Sequence, residues 1–152
     1  MASAHVAVVE RVIEECWNGA RLDAVEDLFA PDCVTHTASR ERPVLHGWEE
    51  ERQAIRSLHA TFSDLAFTIE GCLPAESSAS PHAFCRWTAT GTHIRSYLNV
   101  PPTGRRITWS GATLYRLAGE RVVEEWWYVD RYGIFEQLID SNVEQVHARE
   151  VG

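Results

Sequence analysis

The spacing of apolar residues changes once along this chain of 152 residues, from a helical repeat to the alternation of strands. Residues 6–62 contain three segments whose apolar positions recur every three or four residues, and the segments after Asp64 alternate with a period of two. Helices followed by strands predict an α+β domain rather than repeated βαβ units. One domain of ordinary size accounts for this length, so we expect residues 1–152 to form a single domain.

The helical segments stop at residues that typically end helices. Helices are predicted over residues 6–17, 22–29 and 48–62, followed by Asn18-Gly19, Ala30-Pro31-Asp32 and Ser63-Asp64. Residues 33–36 should be extended, and residues 37–46 should form a polar loop. A last short helix is predicted after Asp130.

The second half predicts an antiparallel sheet of at least four strands, over residues 65–73, 83–93, 106–117 and 122–129. The expected buried positions are Leu65, Phe67, Ile69 and Leu73 in the first strand and Cys85, Trp87, Ala89 and His93 in the second. Residues 74–81 and 94–105 should connect strands, and the second connection is a candidate flap. One bent sheet must bury its apolar face against the helices, and we expect a ligand pocket between them.

Charge and composition exclude several classes of function. A net charge of -8 with no lysine disfavours nucleic-acid binding, which depends on clustered cations. No apolar run approaches the roughly 20 residues of a membrane-spanning helix, and no secretion signal is present, so a cytoplasmic location is expected. The four cysteines are far apart without a C-x-x-C pair, and we expect them to be reduced and partly buried.

Residues 123–130 carry the strongest candidate for acid/base chemistry. Alternation places Trp126, Tyr128 and Asp130 on one face, where a partly desolvated carboxylate could exchange protons near neutral pH. Asp130 also directly precedes the last predicted helix, where aspartate is a favoured N-cap. Spacing alone leaves both interpretations open. The adjacent Glu124 and Glu125 point to opposite faces, which makes them a poor carboxylate pair.

Two histidines and two tyrosines are further candidates. His36 follows a short extended segment and could hydrogen-bond a substrate carbonyl, and His93 could meet Asp130 across the sheet. Tyr115 and Tyr128 could donate to an oxyanion, although aromatic residues on strands are more often packing residues. Sequence motifs for zinc, nucleotide or serine-nucleophile sites are absent, so no metal and no cofactor are expected. Folding could still assemble a metal site from scattered histidines.

Several segments together resemble the SnoaL-like polyketide cyclases of the nuclear transport factor 2-like superfamily, over nearly the whole chain. They are Leu28 to Asp32 followed by Val34 and His36, Phe62 to Leu65, Arg86 to His93, Pro101 to Arg105, and Glu124 to Asp130. The resemblance implies a cone of three helices on a curved, mixed sheet. It also implies a homodimer formed through the sheet and cofactor-free chemistry.

Members of that family close a ring of a polyketide ester by intramolecular aldol condensation, with an aspartate on the last long strand as acid/base. The resemblance therefore implies Asp130 as the base, with His36 or His93 stabilising the enolate oxygen or protonating the carbonyl. Trp87, Trp126 and Tyr128 should line the pocket of an apolar carbonyl substrate. Arg95 stands where relatives carry glycine, and at the mouth it could favour an anionic or strongly polar substrate.

Two other functions stay open on the same scaffold. An epoxide hydrolase or hydratase would need a water held among several polar groups, and only Asp130 is a firm candidate for one of them. A protein that binds a small molecule without converting it would keep the pocket and lack the chemistry.

Overall fold

The computed structural model describes residues 3–75 and 80–140. Its first helix, α1, spans Ala4–Arg11 and continues directly as a π-helical segment over Val12–Asn18. The two together correspond to the helix predicted over residues 6–17. Val9, Val12, Ile13 and Cys16 are completely buried along this stretch, as the apolar repeat predicts.

Three further helices occupy the predicted places. Helix α2 spans Ala24–Leu28, α3 spans Gly47–Thr61 and α4 spans Arg131–Ile139. Helix α3 turns directly into the first long strand at Phe62, whose side chain is completely buried. No helix among residues 3–75 and 80–140 is both long enough and apolar enough to cross a membrane.

The strands form one curved, open sheet of six strands in the order β2-β1-β6-β5-β4-β3. They span Phe29–His36 (β1), Val44–His46 (β2), Phe62–Pro74 (β3), His82–His93 (β4), Arg106–Ala118 (β5) and Arg121–Val129 (β6). β1 and β6 are parallel and the other pairs are antiparallel. The α+β class and the mixed, curved sheet are therefore confirmed, and the predicted loop over residues 37–46 ends in strand β2.

One face of the sheet packs against the helices and is called the inner face; the opposite one is the outer face. The predicted buried positions Cys85, Trp87, Ala89 and His93 all lie on the inner face, each 1% exposed or less. Helices α1 and α3 and the π-helical segment cover this face. A single apolar core fills the space between them.

Strand β3 corrects one predicted position. The register with β4 shifts between Ile69 and Gly71, and a β-bulge of this kind reverses which residues face inwards. Leu65 and Phe67 are buried as predicted, but Leu73 lies beyond the bulge and is 64% exposed. A strict period of two could not anticipate the extra residue.

The cysteines correct a second prediction. Cys72 and Cys85 are opposite one another on β3 and β4, with Cα atoms 4.2 Å apart, and are joined in a disulfide. Cys16 and Cys33 are free thiols in the core, as expected. Cys72 and Cys85 are 13 residues apart in sequence. They become neighbours only when β3 pairs with β4. Residues 76–79 of the predicted loop at 74–81 lie outside the described part of the chain.

Gly111 allows a sharp test of inner-face packing. A Cβ atom built there would lie 2.5 Å from the Trp87 ring and 2.5 Å from the backbone oxygen of Tyr128, whereas at Gly71 it would meet nothing within 4 Å. Gly111→Ala should therefore lower the free energy of unfolding by about 1–3 kcal/mol. Gly71→Ala, also on a strand, should change it by no more than about 0.5 kcal/mol. Urea denaturation of both variants checks this, and equal stability would contradict the close packing.

Candidate functional site

A cavity of about 600 Å³ lies between the inner face of the sheet, helix α3 and the segment before Val100. Its wall combines apolar side chains with a polar rim. The lining residues are Trp17, Thr35, Thr37, Ala38, Ser39, Arg40, Glu41, Leu45, Glu51, Ala54, Leu58, Ser96, Tyr97, Leu98, Asn99, Trp127, Val129 and Arg131. The predicted pocket is thus present, and this volume suits a small organic ligand.

Two buried glutamates meet at the floor of this cavity. Glu51 is 1% exposed, Glu125 is completely buried, and Thr35 lies between them. The Thr35 hydroxyl is hydrogen-bonded to Oε1 of Glu51 and lies 2.9 Å from Oε1 of Glu125. The second oxygen of each carboxyl, Oε2, has no hydrogen-bond partner among the described residues. Glu51 and Thr35 line the cavity, and Glu125 lies behind them.

Local structure explains how residues so far apart in sequence converge. Strands β1 and β6 are parallel neighbours, and their register places Thr35 directly beside Glu125. Helix α3 packs on β1, and Glu51 lies on the same buried side of this helix as Ile55, one turn further on. The helix therefore presents a carboxyl to the strand where its apolar stripe would otherwise continue.

Burial dominates the electrostatics of the floor. Burial first, and then the charge of Glu51, raise the pKa of Glu125 well above its usual range. Burial and the two carboxyl groups raise the pKa of the Cys16 and Cys33 thiols to about 12. Burial also raises the pKa of Tyr115, which lies opposite Glu125 on β5. Burial thus favours the protonated forms of Glu125, Tyr115 and the two thiols.

The rim contains a tight turn in an unusual backbone conformation. Tyr97 and Val100 exchange two backbone hydrogen bonds of 3.0 and 2.9 Å. The two residues between them, Leu98 and Asn99, have φ angles of 52° and 62°. Such angles suit glycine and asparagine but are rare for leucine. Both side chains belong to the cavity wall, so the strained residue lies where it can contact a ligand.

The structure places Asp130 at the N-cap of helix α4. Its Oδ1 accepts a hydrogen bond from the backbone N–H of Gly133 at 2.9 Å, and the residue is exposed. The capping interpretation is therefore observed. Its neighbours Val129 and Arg131 line the cavity and Asp130 does not, while its predicted role as a base stays a prediction.

Trp126 and Tyr128 lie on the outer face, which corrects the prediction that they line the pocket. Glu125, Trp127 and Val129 occupy the alternate, inner positions of β6. His36 is also on the outer face, stacked on Trp126 with ring centroids 5.2 Å apart. Its Nε2 lies 2.7 Å from Oε2 of Glu124, and this contact is the main reason that the pKa of Glu124 is lowered. Trp126 and Tyr128 do share one face of the sheet, as predicted, but the cavity lies on the other face.

The remaining predicted residues lie in the core or on the surface, outside the cavity lining. Trp87 and Tyr115 are buried in the core, and the Trp87 indole donates to Oγ1 of Thr113 at 3.1 Å. His93 is completely buried, and its Nδ1 accepts from the backbone N–H of Thr103. Burial lowers its pKa.

The exposed Arg95 donates to Oγ of Ser57 at 2.9 Å. It is next to the lining residue Ser96 in sequence.

Sequence reasoning missed Glu51 and Glu125, although a signal existed for each. Trp48, Ile55 and Leu58 recur at helical spacing along α3, and Glu51 occupies the gap in that apolar stripe. Glu125 is two residues before Trp127 on the same strand, so the two side chains point to the same face of the sheet. A charge that interrupts an apolar pattern is the sequence mark of a buried polar site.

Comparisons with known proteins agree with this architecture. The protein-family model for SnoaL-like polyketide cyclases matches residues 7–138. A proposed polyketide cyclase from Acidithiobacillus ferrooxidans is 26% identical with a TM-score of 0.77, covering 91% of this chain and 96% of its own. IdmH, a proposed polyketide cyclase from Streptomyces antibioticus, is 25% identical with a TM-score of 0.70 and covers 87% and 96%.

AclR, a proposed hydroxylase from Streptomyces galilaeus, shares the fold at 22% identity with a TM-score of 0.70, covering 87% of this chain and 92% of its own. A comparison with curated proteins found no match.

Two adjacent glutamates should show opposite pH dependence. Glu125 has a raised pKa in the folded state, so its contribution to stability is complete below the ordinary glutamate pKa and is lost as pH rises through the folded value. The slope is up to about 1.4 kcal/mol per pH unit. Glu124 has a lowered pKa, so its contribution is lost as pH falls. Urea denaturation of wild type, Glu125→Gln and Glu124→Gln between pH 3 and pH 8 tests the two signs. Parallel curves for all three proteins would contradict them.

Proposed function

Because the chain belongs to the SnoaL-like polyketide cyclase family, we propose that it catalyses cofactor-free proton transfer on a polyketide-like carbonyl compound. Ring closure by intramolecular aldol condensation is the proposed reaction. One observation carries the proposal: Glu51 presents a desolvated carboxyl at the floor of a cavity large enough for such a compound. A carboxylate that lines the cavity can accept a proton directly from a bound ligand.

The proposed reaction begins with removal of a proton from carbon. The Glu51 carboxylate takes the proton next to a substrate carbonyl, the C–H bond breaks, and an enolate forms. The enolate carbon attacks a second carbonyl of the same molecule and forms the carbon–carbon bond. The resulting alkoxide takes the proton back from Glu51, so the enzyme ends in its starting state and no covalent intermediate is needed.

Two lining residues are suited to stabilise the enolate or alkoxide oxygen. Burial raises the pKa of Tyr97, so its hydroxyl stays protonated and can donate. The Arg131 guanidinium donates to the backbone oxygen of Ala38 at 2.8 Å and is held beside the cavity by this bond. Donors held at fixed positions stabilise developing negative charge without the reorganisation that water would need.

The family resemblance instead nominates Asp130 as the base, with His36 and His93 as helpers. Those assignments stay predictions, and Asp130 is the specific rival to Glu51. Its Oδ1 accepts the capping bond from Gly133, and the residue is not among those that line the cavity. The same variant series can therefore separate the two assignments.

Glu51→Gln should lower turnover at least about 100-fold, because the amide keeps the shape of the side chain but cannot accept a proton. Asp130→Asn should change turnover little, and Glu49→Gln, an exposed position of the same helix, is the matched control. The assay incubates each protein with polyketide methyl esters bearing an enolisable ketone in deuterated water. Chromatography follows ring closure, and mass spectrometry follows deuterium at carbon.

The outcomes distinguish the candidate functions. Full turnover by Glu51→Gln with loss in Asp130→Asn would overturn the assignment of the base. Binding of the esters without deuterium exchange or ring closure, in wild type and variants alike, would overturn catalysis and favour a ligand-binding protein. Formation of a diol from an added epoxide substrate would favour an epoxide hydrolase.

The homodimer and the cytoplasmic location also stay predictions. The outer face of the sheet carries Trp126 and a Tyr128 side chain that is 61% exposed, which suits an interface better than a fully polar surface does. Sedimentation of wild type and Tyr128→Glu should show a dimer for the first and a monomer for the second. A wild-type monomer at micromolar concentration would contradict the predicted assembly.

A further inference from the structure

The contacts of Thr35 limit how many protons the site can hold. Its hydroxyl lies within hydrogen-bond distance of Oε1 of Glu51 and of Oε1 of Glu125. A hydroxyl has one proton and can donate to only one of these oxygens, and an ionised carboxylate only accepts. If both contacts are hydrogen bonds, one of the two carboxyls must donate to Thr35. That carboxyl is therefore protonated.

Surrounding charges argue against two carboxylates. The titratable groups facing the pair are Cys16 on the π-helical segment, Cys33 on β1 and Tyr115 on β5. All three have raised pKa values, so they are neutral near pH 7 and supply no positive charge. Glu15 and Arg11, further out, are bonded to each other at 2.6 Å. Arg40 and Arg131 line the same cavity as Glu51, but the Arg131 guanidinium donates to the backbone oxygen of Ala38 and not to the pair. Two buried negative charges side by side would be strongly destabilising.

Two protons on the pair would also fit the contacts poorly. With both carboxyls neutral, Thr35 could still donate to one and accept from the other, but a second carboxylic proton would need its own acceptor. The other oxygen of each carboxyl, Oε2, makes no hydrogen bond of acceptable geometry with a described residue, although Glu51 and the Trp127 indole lie close enough to Glu125 to affect its pKa. One proton satisfies both contacts to Thr35 and leaves no carboxyl O–H of the pair without an acceptor.

We propose that Glu51 and Glu125 hold one proton between them at neutral pH, and that the Thr35 hydroxyl passes it from one carboxyl to the other. In one arrangement Glu125 is protonated and donates to Thr35, which donates to the Glu51 carboxylate. A concerted shift moves the Glu125 proton to Oγ1 and the Oγ1 proton to Glu51. Two O–H bonds break and two form, and the net charge of the pair stays at minus one.

The exchange gives the cavity a base and an acid at one pH. Glu51 touches the cavity and Glu125 does not, so all exchange with a ligand occurs at Glu51. With the proton on Glu125, Glu51 can accept a proton from carbon; with the proton on Glu51, it can donate to a carbonyl oxygen. Glu125 and Thr35 are positioning residues, and their role deepens the proposed function and rests on it.

Infrared spectroscopy of the resting protein tests the shared proton without any substrate. Wild type at pH 7 should show the C=O stretching band of one neutral carboxylic acid. Glu125→Gln should lose this band, whereas Glu51→Gln should keep a band from Glu125. Thr35→Val, which keeps the shape but removes the hydroxyl, should move the band to higher frequency, and Thr35→Ser should restore it.

Wild type alone can overturn the proposal, even if a variant fails to fold. No neutral-acid band at pH 7 would mean that both glutamates are ionised. A band retained with equal intensity in both Glu51→Gln and Glu125→Gln, at half the wild-type intensity, would mean that both are protonated. A band unaffected by Thr35→Val would remove the hydroxyl from the path.

The spectroscopic result and the proposed function can fail separately. If no turnover is found but the infrared bands are as expected, only the proposed reaction is overturned and the shared proton stands. Where turnover is found, Thr35→Val should lower kcat at least 10-fold with little change in KM, and Thr35→Ser should recover most of it. Normal kcat in Thr35→Val would overturn the exchange path while leaving Glu51 as the base.

Discussion

Strand β6 is hydrogen-bonded on both edges, to β1 in parallel and to β5 in antiparallel register, and this fixes the side to which each of its residues points. Glu125 is forced inwards beneath helix α3, while Glu124 is forced outwards to the half-buried His36. Two identical side chains, one residue apart, thus lie in opposite environments, one in the protein interior and one at its surface. The first is held away from water with a raised pKa, and the second is paired at the surface with a lowered one.

The fold tolerates this arrangement because most of the inner face is apolar and well packed. Tilted and edge-on contacts among Trp17, Phe67, Trp87 and Trp127 join the π-helical segment to the sheet. Burying a carboxyl pair costs stability, and the aromatic cluster beside it offsets part of that cost. Two carboxyl groups buried together in a core that is otherwise mostly apolar are the pattern expected of a functional site.

Most of the fold could be predicted from the sequence because helices and strands each place apolar residues at a regular spacing. The helical spacing of residues 6–17 and the alternation in β4 each require only local regularity, and both predictions were confirmed. Alternation also grouped Trp126 with Tyr128 correctly, but period two cannot tell which of two faces is covered by helices. The bulge near Gly71 and the pairing of Cys72 with Cys85 depend on register, which only the assembled sheet defines.

At the turn formed by Leu98 and Asn99, the shape of the cavity can change without a loss of stability in the fold. Left-handed backbone at a leucine is a small burden on the fold, so exchange for glycine would relieve strain instead of adding it. Most residues that line a binding cavity also pack against the core. A substitution there that admits a new ligand therefore tends to lower the stability of the fold. Here, exchange of Leu98 for glycine would change the wall and relieve backbone strain at the same position. Over evolutionary time, this turn is where related chains could diversify their ligands while the scaffold stays the same.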